Sequence, residues 1–226
     1  MTELRYARFA GFMYIFLIVV YLIPMFIVRN LQVPGDYAAS AQRILQSETL
    51  YRVALSLNIV AGISTVFLAM ALYVALKAVD PNLALMALVF RLIEAMMTPV
   101  TIVFAFVVLR LYSGMPAFNT AQLSAFLTLR SAMGTAVYNV SAIFFGVGSI
   151  LYFHLFRKTN YLPRFLSMTG FIGSIIVPVI CFGSLIAPAY AARLQFGWIP
   201  IAIAEIGGGA WLMFSTTRLQ QPAIAY

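Results

Sequence analysis

The stretch LALMALVFRLIEAMMTPVTIVFAFVVL, residues 83–109, decides how this chain folds. An α-helix rises 1.5 Å per residue, and about twenty apolar residues cross the hydrocarbon core of a bilayer. These 27 residues are long enough to cross even when tilted. Two ionisable residues, Arg91 and Glu94, interrupt the apolar run. A charge at the centre of a membrane helix costs about 2.5–3.5 kcal/mol, whereas each Leu, Ile, Val or Phe returns about 0.3–0.6 kcal/mol. The segment holds fifteen such apolar residues, so the two contributions are of similar size. It inserts, and it gains by pairing its charges.

Working outward, five further runs have the same character: Phe9–Val28, Val53–Leu76, Ala132–Phe153, Phe165–Ala187 and Trp198–Phe214. The whole composition agrees with them. Of 226 residues, 63% are apolar and 9% charged, far from the quarter or so that is charged in a soluble domain. The expectation is an all-α polytopic membrane protein, a bundle of six transmembrane helices forming one domain over residues 1–226. The first run lacks a small-residue cleavage site after a short apolar core, so it is expected to remain as the first span.

The connections carry turn and cap signals. Val33-Pro34-Gly35-Asp36 reads as a turn, with Asp36 placed to cap a helix over Tyr37–Glu48 that leads into the second span. Asp80-Pro81 closes a tight loop between Lys77 and Asn82. Ser113-Gly114-Met115-Pro116 opens the connection that re-enters a helix near Thr120. The net charge is +8, but the basic residues lie at the ends of apolar runs, where they meet lipid headgroups rather than nucleic acid. An even number of spans puts both termini on one side. The short basic connection with Arg157, Lys158 and Arg164, undiluted by acid, places that side in the cytoplasm.

Three charges remain inside the expected spans: Arg91 and Glu94 in the third and Glu205 in the sixth. Arg91 and Glu94 stand three residues apart, on one helical face. Thr98 and Thr101 continue that stripe. Glu205 has no basic neighbour on its own helix, and Gly207-Gly208-Gly209 after it allow close approach of another helix. Either Arg91 bridges both glutamates or one glutamate carries a proton. The third and sixth spans each carry a glutamate near mid-depth, which would suit two three-helix halves of inverted topology. In the fourth span, Tyr138 and Asn139 are the polar residues expected to line the same cavity. The candidate ligand-binding set is therefore Arg91, Glu94, Glu205, Thr98, Tyr138 and Asn139. Small and hydroxyl residues elsewhere, such as Asn58, Gly170, Gly173, Ser174 and Ser184, read as helix-packing surface.

Several chemistries are excluded by residue inventory. The one cysteine, Cys181, rules out an internal disulfide and a CxxC redox pair. The one histidine, His154, sits at a helix end, so neither a bis-histidine haem nor a buried Ser–His–acid set is available. No lysine lies inside a span to hold a Schiff base. No metal site and no cofactor are expected, and no catalytic constellation is recognisable.

Other stretches carry a resemblance. Val33-Pro34-Gly35-Asp36, Ser47-Glu48-Thr49-Leu50-Tyr51-Arg52, Phe90-Arg91-Leu92-Ile93-Glu94-Ala95, Phe144-Phe145-Gly146, Tyr161-Leu162-Pro163-Arg164 and Ala204-Glu205-Ile206 with Trp211-Leu212 occur in an order and spacing that resembles the bacterial domain-of-unknown-function 4386 membrane proteins. The resemblance covers nearly the whole chain. It implies a six-helix protein of the bacterial inner (cytoplasmic) membrane and assigns its charges no chemistry. The functional expectation is binding or transport of a small molecule, lipid, or cation or proton at the polar site. The alternatives are a structural or accessory membrane subunit and, third, a lipid- or quinone-modifying enzyme. Expected partners are membrane lipid, such a ligand, and a further copy or another membrane protein; nucleic acid is excluded.

Overall fold

The structure, a computed structural model, describes residues 2–33, 35–112 and 120–215. Helices follow in the order α1 (Thr2–Leu31), α2 (Tyr37–Gln46), α3 (Glu48–Leu76), α4 (Pro81–Tyr112), α5 (Thr120–Arg157), α6 (Arg164–Ile186), α7 (Ala191–Leu194) and α8 (Ile199–Phe214). Among the described residues there is no strand, only the isolated bridge between Val33 and Asp36. Six helical stretches are long and apolar enough to cross a membrane: Glu3–Leu31, Glu48–Leu76, Pro81–Arg110, Thr128–Arg157, Arg164–Ile186 and Pro188–Phe214. Large apolar side chains such as Phe26, Phe67, Val103, Val179 and Phe182 are left on the outside of these helices, where lipid is the matching solvent. The chain is a multi-pass membrane protein.

The helix starts follow from local chemistry. Gly35 adopts φ 79°, a left-handed conformation that glycine takes without a Cβ penalty. The chain turns there, and the Asp36 carboxylate accepts from the Ala39 amide at 2.9 Å, capping α2 as expected. Asp80 accepts from the amides of Asn82 and Leu83 at 3.1 and 3.0 Å and opens α4. The expected turn at Ser113–Pro116 lies outside the described residues, as does Pro34; α5 does begin at Thr120.

The last span differs from its expected form. α8 has 16 residues, short for a crossing on its own. The approach to it is not an irregular loop: 3₁₀ turns Pro188–Tyr190 and Gln195–Trp198 flank α7, so a helical path begins at Pro188. Pro188, Gly197 and Pro200 interrupt the apolar periodicity there, which hides the helix from a reading based on uninterrupted apolar runs.

Packing divides the chain into two compact units. The first comprises the described parts of Met1–Leu17, Ile63–Ala95 and Asn139–Tyr226, and the second Ile18–Gly62 and Met96–Tyr138. This division does not follow the two three-helix halves suggested by the glutamates. In the first unit, helices approach through glycine. A Cβ on Gly11 would stand 2.7 Å from the Gly209 carbonyl oxygen, and one on Gly209 would stand 2.8 Å from Tyr14 Cβ, so α1 and α8 touch backbone to backbone. Gly173 lies in the same way against the backbone at Ile201, joining α6 to α8. Tyr161, in the Arg157–Arg164 turn, lies within electrostatic range of Glu3 at the start of α1. Burial, and then the nearby Glu3 carboxylate, push the Tyr161 hydroxyl above its ordinary range. In the second unit, Leu31, Ile44, Tyr51, Leu55, Ile102, Ala105 and Leu109 form an apolar cluster. The Tyr51 hydroxyl accepts from Arg130 Nη2 at 3.1 Å.

Candidate functional site

Arg91 is the one charged side chain buried among the described residues, at 4% exposure. α4 supplies it, and α5 holds it. Its guanidinium lies 4.7 Å from the centre of the Phe145 ring, and that ring in turn stacks 5.9 Å from Trp198. Its aliphatic stem passes Gly148, where an added Cβ would come within 3.1 Å of Arg91 Cγ and 3.2 Å of the Ala87 carbonyl oxygen. One turn along, Glu94 Oε2 lies 2.9 Å from Arg91 Nη1. Ser141 of α5 donates to the Glu94 backbone carbonyl at 3.3 Å, a second tie between the two helices.

The ion pair is close but poorly aligned. Arg91 Nε and Nη1 and Glu94 Oε2 are all buried and have no hydrogen-bond partner among the described residues. This sets the site apart from other polar groups in the unit. Ser174 donates to the Gly170 carbonyl at 2.6 Å, Ser184 to that of Ile180 at 2.8 Å, and Ser167 to that of Arg164 at 3.1 Å. Those hydroxyls satisfy themselves on their own helix, as packing residues do. Arg91 and Glu94 do not.

Glu205 of α8 belongs to the same unit and lies within electrostatic range of both Arg91 and Glu94. It is half-buried and makes no ion pair within 4.0 Å among the described residues. The choice left open by the sequence thus resolves in part: Arg91 pairs directly with its helix neighbour and does not bridge both glutamates. Tyr14 of α1 and Tyr152 of α5 complete the surroundings, both within electrostatic range of Arg91. The Tyr152 hydroxyl donates to the Ala69 carbonyl of α3 at 2.9 Å.

The other expected residues are placed differently. Asn139 is buried in the first unit. Tyr138, next to it on α5, is half-exposed and belongs to the second unit; successive residues on a helix point about 100° apart. Thr98 also belongs to the second unit, where its backbone carbonyl accepts from Thr101 Oγ1 at 2.8 Å. Sequence reasoning did not single out Tyr14, Phe145 or Gly148 as site residues. For Tyr14 a signal exists: Ala7, Ala10, Gly11, Tyr14 and Leu17 recur at helical spacing and are all buried. Among the described residues, no three His, Cys, Asp or Glu side chains come together to hold a metal ion.

The model of a family described as a domain of unknown function, DUF4386, matches residues 9–215. The chain belongs to that family. The matched region of this DUF4386 chain contains Arg91, Glu94 and Glu205, along with the aromatic and glycine positions that hold Arg91. Comparisons with curated proteins and with solved structures give no match.

Proposed function

We propose that this DUF4386 protein binds, or carries across the bacterial inner membrane, a small polar or charged molecule, a lipid headgroup, or a cation or proton at the site around Arg91, Glu94 and Glu205. One observation carries the reading: among the described residues the buried Arg91–Glu94 pair is held by a 2.9 Å contact that is not an aligned hydrogen bond, and Arg91 Nε has no partner at all. A buried donor left without a partner costs roughly 1–3 kcal/mol, and more when it is charged. A ligand that accepts from the guanidinium would recover that cost. Ionisable residues at this depth are functional candidates by default.

A second reading is supported by the way Arg91 is seated. Its contacts with Phe145 and Gly148, and the Ser141 hydrogen bond, suit a polar clasp between α4 and α5 in a structural or accessory subunit. Native mass spectrometry of the protein released from lipid nanodiscs separates the two. Binding predicts a reproducible extra mass on the wild type that is lost in Glu205→Gln. A bare chain in both forms, or one carrying only another protein, sinks binding of any ligand heavier than a proton and favours the clasp.

A further inference from the structure

The basic connection between α5 and α6 takes no part in the site around Arg91, yet it is built to hold its cations in place. Arg157 is the last residue of α5 and Arg164 the first of α6. Between them the Lys158 amide donates to the Leu155 carbonyl at 3.0 Å. The buried Thr159 hydroxyl donates to the Phe156 carbonyl at 2.9 Å and accepts from the Tyr161 amide at 3.2 Å. The connection is a hydrogen-bonded turn.

The arginine at its start is seated on the neighbouring helix. Arg157 Cζ lies 4.6 Å from the centre of the Phe171 ring of α6, and the His154 ring, one turn back on α5, lies 6.2 Å from the same centre. A guanidinium over a ring keeps the N–H donors at its edge for an oxyanion. No Asp or Glu stands between Glu94 and Glu205 in the sequence, so neither helix nor the turn carries a carboxylate. Asp80, within electrostatic range of His154, already caps α4. Arg157, Lys158 and Arg164 are exposed, and none makes an ion pair among the described residues.

Next to these cations α6 turns an apolar edge outward. Arg164, Met168, Phe171 and Ile175 follow one another at helical spacing, which joins the charged end of α6 to that edge. Met168, Ile172, Ile175 and Val179 are all exposed. They run about 16 Å at 1.5 Å per residue, close to the depth of one leaflet's hydrocarbon layer. Cations at the headgroup level above an apolar strip one leaflet deep match a lipid with a negative head.

We propose that the α5–α6 edge binds one anionic phospholipid, its phosphate held by Arg157 and Arg164 and an acyl chain laid along Met168, Ile172, Ile175 and Val179. Phe171 is the positioning residue. It holds Arg157 in place before the lipid arrives, so less side-chain freedom is lost on binding. This surface is separate from the buried Arg91 site and does not depend on what that site binds.

Native mass spectrometry of the delipidated protein in detergent tests this, with phosphatidylglycerol titrated against phosphatidylcholine of the same chains. The wild type is expected to retain one phosphatidylglycerol in preference. Arg157→Gln should weaken that retention about fivefold, the equivalent of about 1 kcal/mol for a basic residue at an anionic surface. Phe171→Leu keeps the charge and should still weaken it about two- to fivefold, with unchanged phosphatidylcholine retention showing an intact fold. Arg8→Gln, which removes an equal exposed charge from α1, should change nothing. The lipid should also survive Glu205→Gln, which distinguishes it from a ligand at Arg91. Equal retention of the two lipids overturns the proposal, as does full retention in Phe171→Leu. A loss in Arg8→Gln as large as in Arg157→Gln overturns it too, since the attraction would then be diffuse. Glycerol phosphate held as tightly as the lipid would remove the apolar edge from the site and overturn it as well.

Discussion

Among the described residues there are two Arg–Glu ion pairs within single helix turns, and they differ in almost every physical respect. Glu48 and Arg52 open α3 in the second unit, with side chains 38% and 51% exposed. Glutamate precedes arginine by four residues, the order that suits the helix dipole, and Arg52 Nε donates to Glu48 Oε1 at 2.8 Å. Arg91 and Glu94 lie inside the first unit, with side chains 5% and 15% exposed. Their order is reversed, their spacing is three, and their contact at 2.9 Å is not an aligned hydrogen bond. The exposed pair is the better-made bond and the cheaper to lose. The buried pair is the worse-made bond and the costlier to break, because each partner would leave the other charged in an apolar interior. Local helix energetics explain the first pair. They do not explain the second, whose placement makes sense only through what surrounds it.

Unfolding measurements in a fixed detergent or bicelle can break or sharpen this contrast. Arg91→Ala is expected to have the largest effect, a loss of about 3–5 kcal/mol from the uncompensated glutamates. A loss no greater than that at Arg52 would remove the distinction between the pairs. Next comes Gly11→Ala, whose Cβ would meet the Gly209 carbonyl oxygen at 2.7 Å and the Met213 amide nitrogen at 2.7 Å. Backbone cannot yield as a side-chain tip can, so about 1–3 kcal/mol should be lost as α1 is pushed off α8. The matching change in the second unit, Gly134→Ala, meets nothing within 4 Å and should not destabilise; a loss there would contradict the packing described.

Tyr51→Phe probes the second unit's own polar contact. It removes the hydroxyl that accepts from Arg130 and should cost about 0.5–1.5 kcal/mol. A neutral result would mean that the apolar cluster around the ring carries the stability alone. Arg52→Gln should have the smallest effect, about 0.3–0.5 kcal/mol, shrinking further as salt is raised. A salt-insensitive loss would show that this pair is not solvated.

The sequence made much of the fold legible because lipid exposure leaves little choice. A run such as residues 83–109 has no stable alternative to a helix, since its backbone groups find no partners in hydrocarbon except their own. Asp36, Gly35 and Asp80 were readable for a different reason: caps and left-handed turns depend on neighbours only two or three residues away. The helical approach to α8 was not legible, because Pro188 and Gly197 mask it. At the site, Arg91 and Glu94 were visible as costly residues three apart. The contributions of Tyr14, Phe145 and Gly148 were not, because these residues have no unusual chemistry until helices distant in sequence place them around the guanidinium. For Thr98 and Tyr138 spacing and packing give different groupings. Helical spacing put them on a polar stripe, but packing assigns them to the second unit.

The central claim is that the buried charges serve a ligand rather than stability. The most direct measurement is the unfolding free energy of a charge-free variant, Arg91→Met with Glu94→Leu and Glu205→Leu, alongside native mass spectrometry of the same preparation. Replacing buried ions by apolar side chains of similar volume is often neutral or stabilises by about 1–4 kcal/mol. The account predicts a variant at least as stable as the wild type that no longer retains the extra mass. A variant that is clearly less stable, from a wild type that retains no extra mass, would contradict it and make the charges a structural clasp.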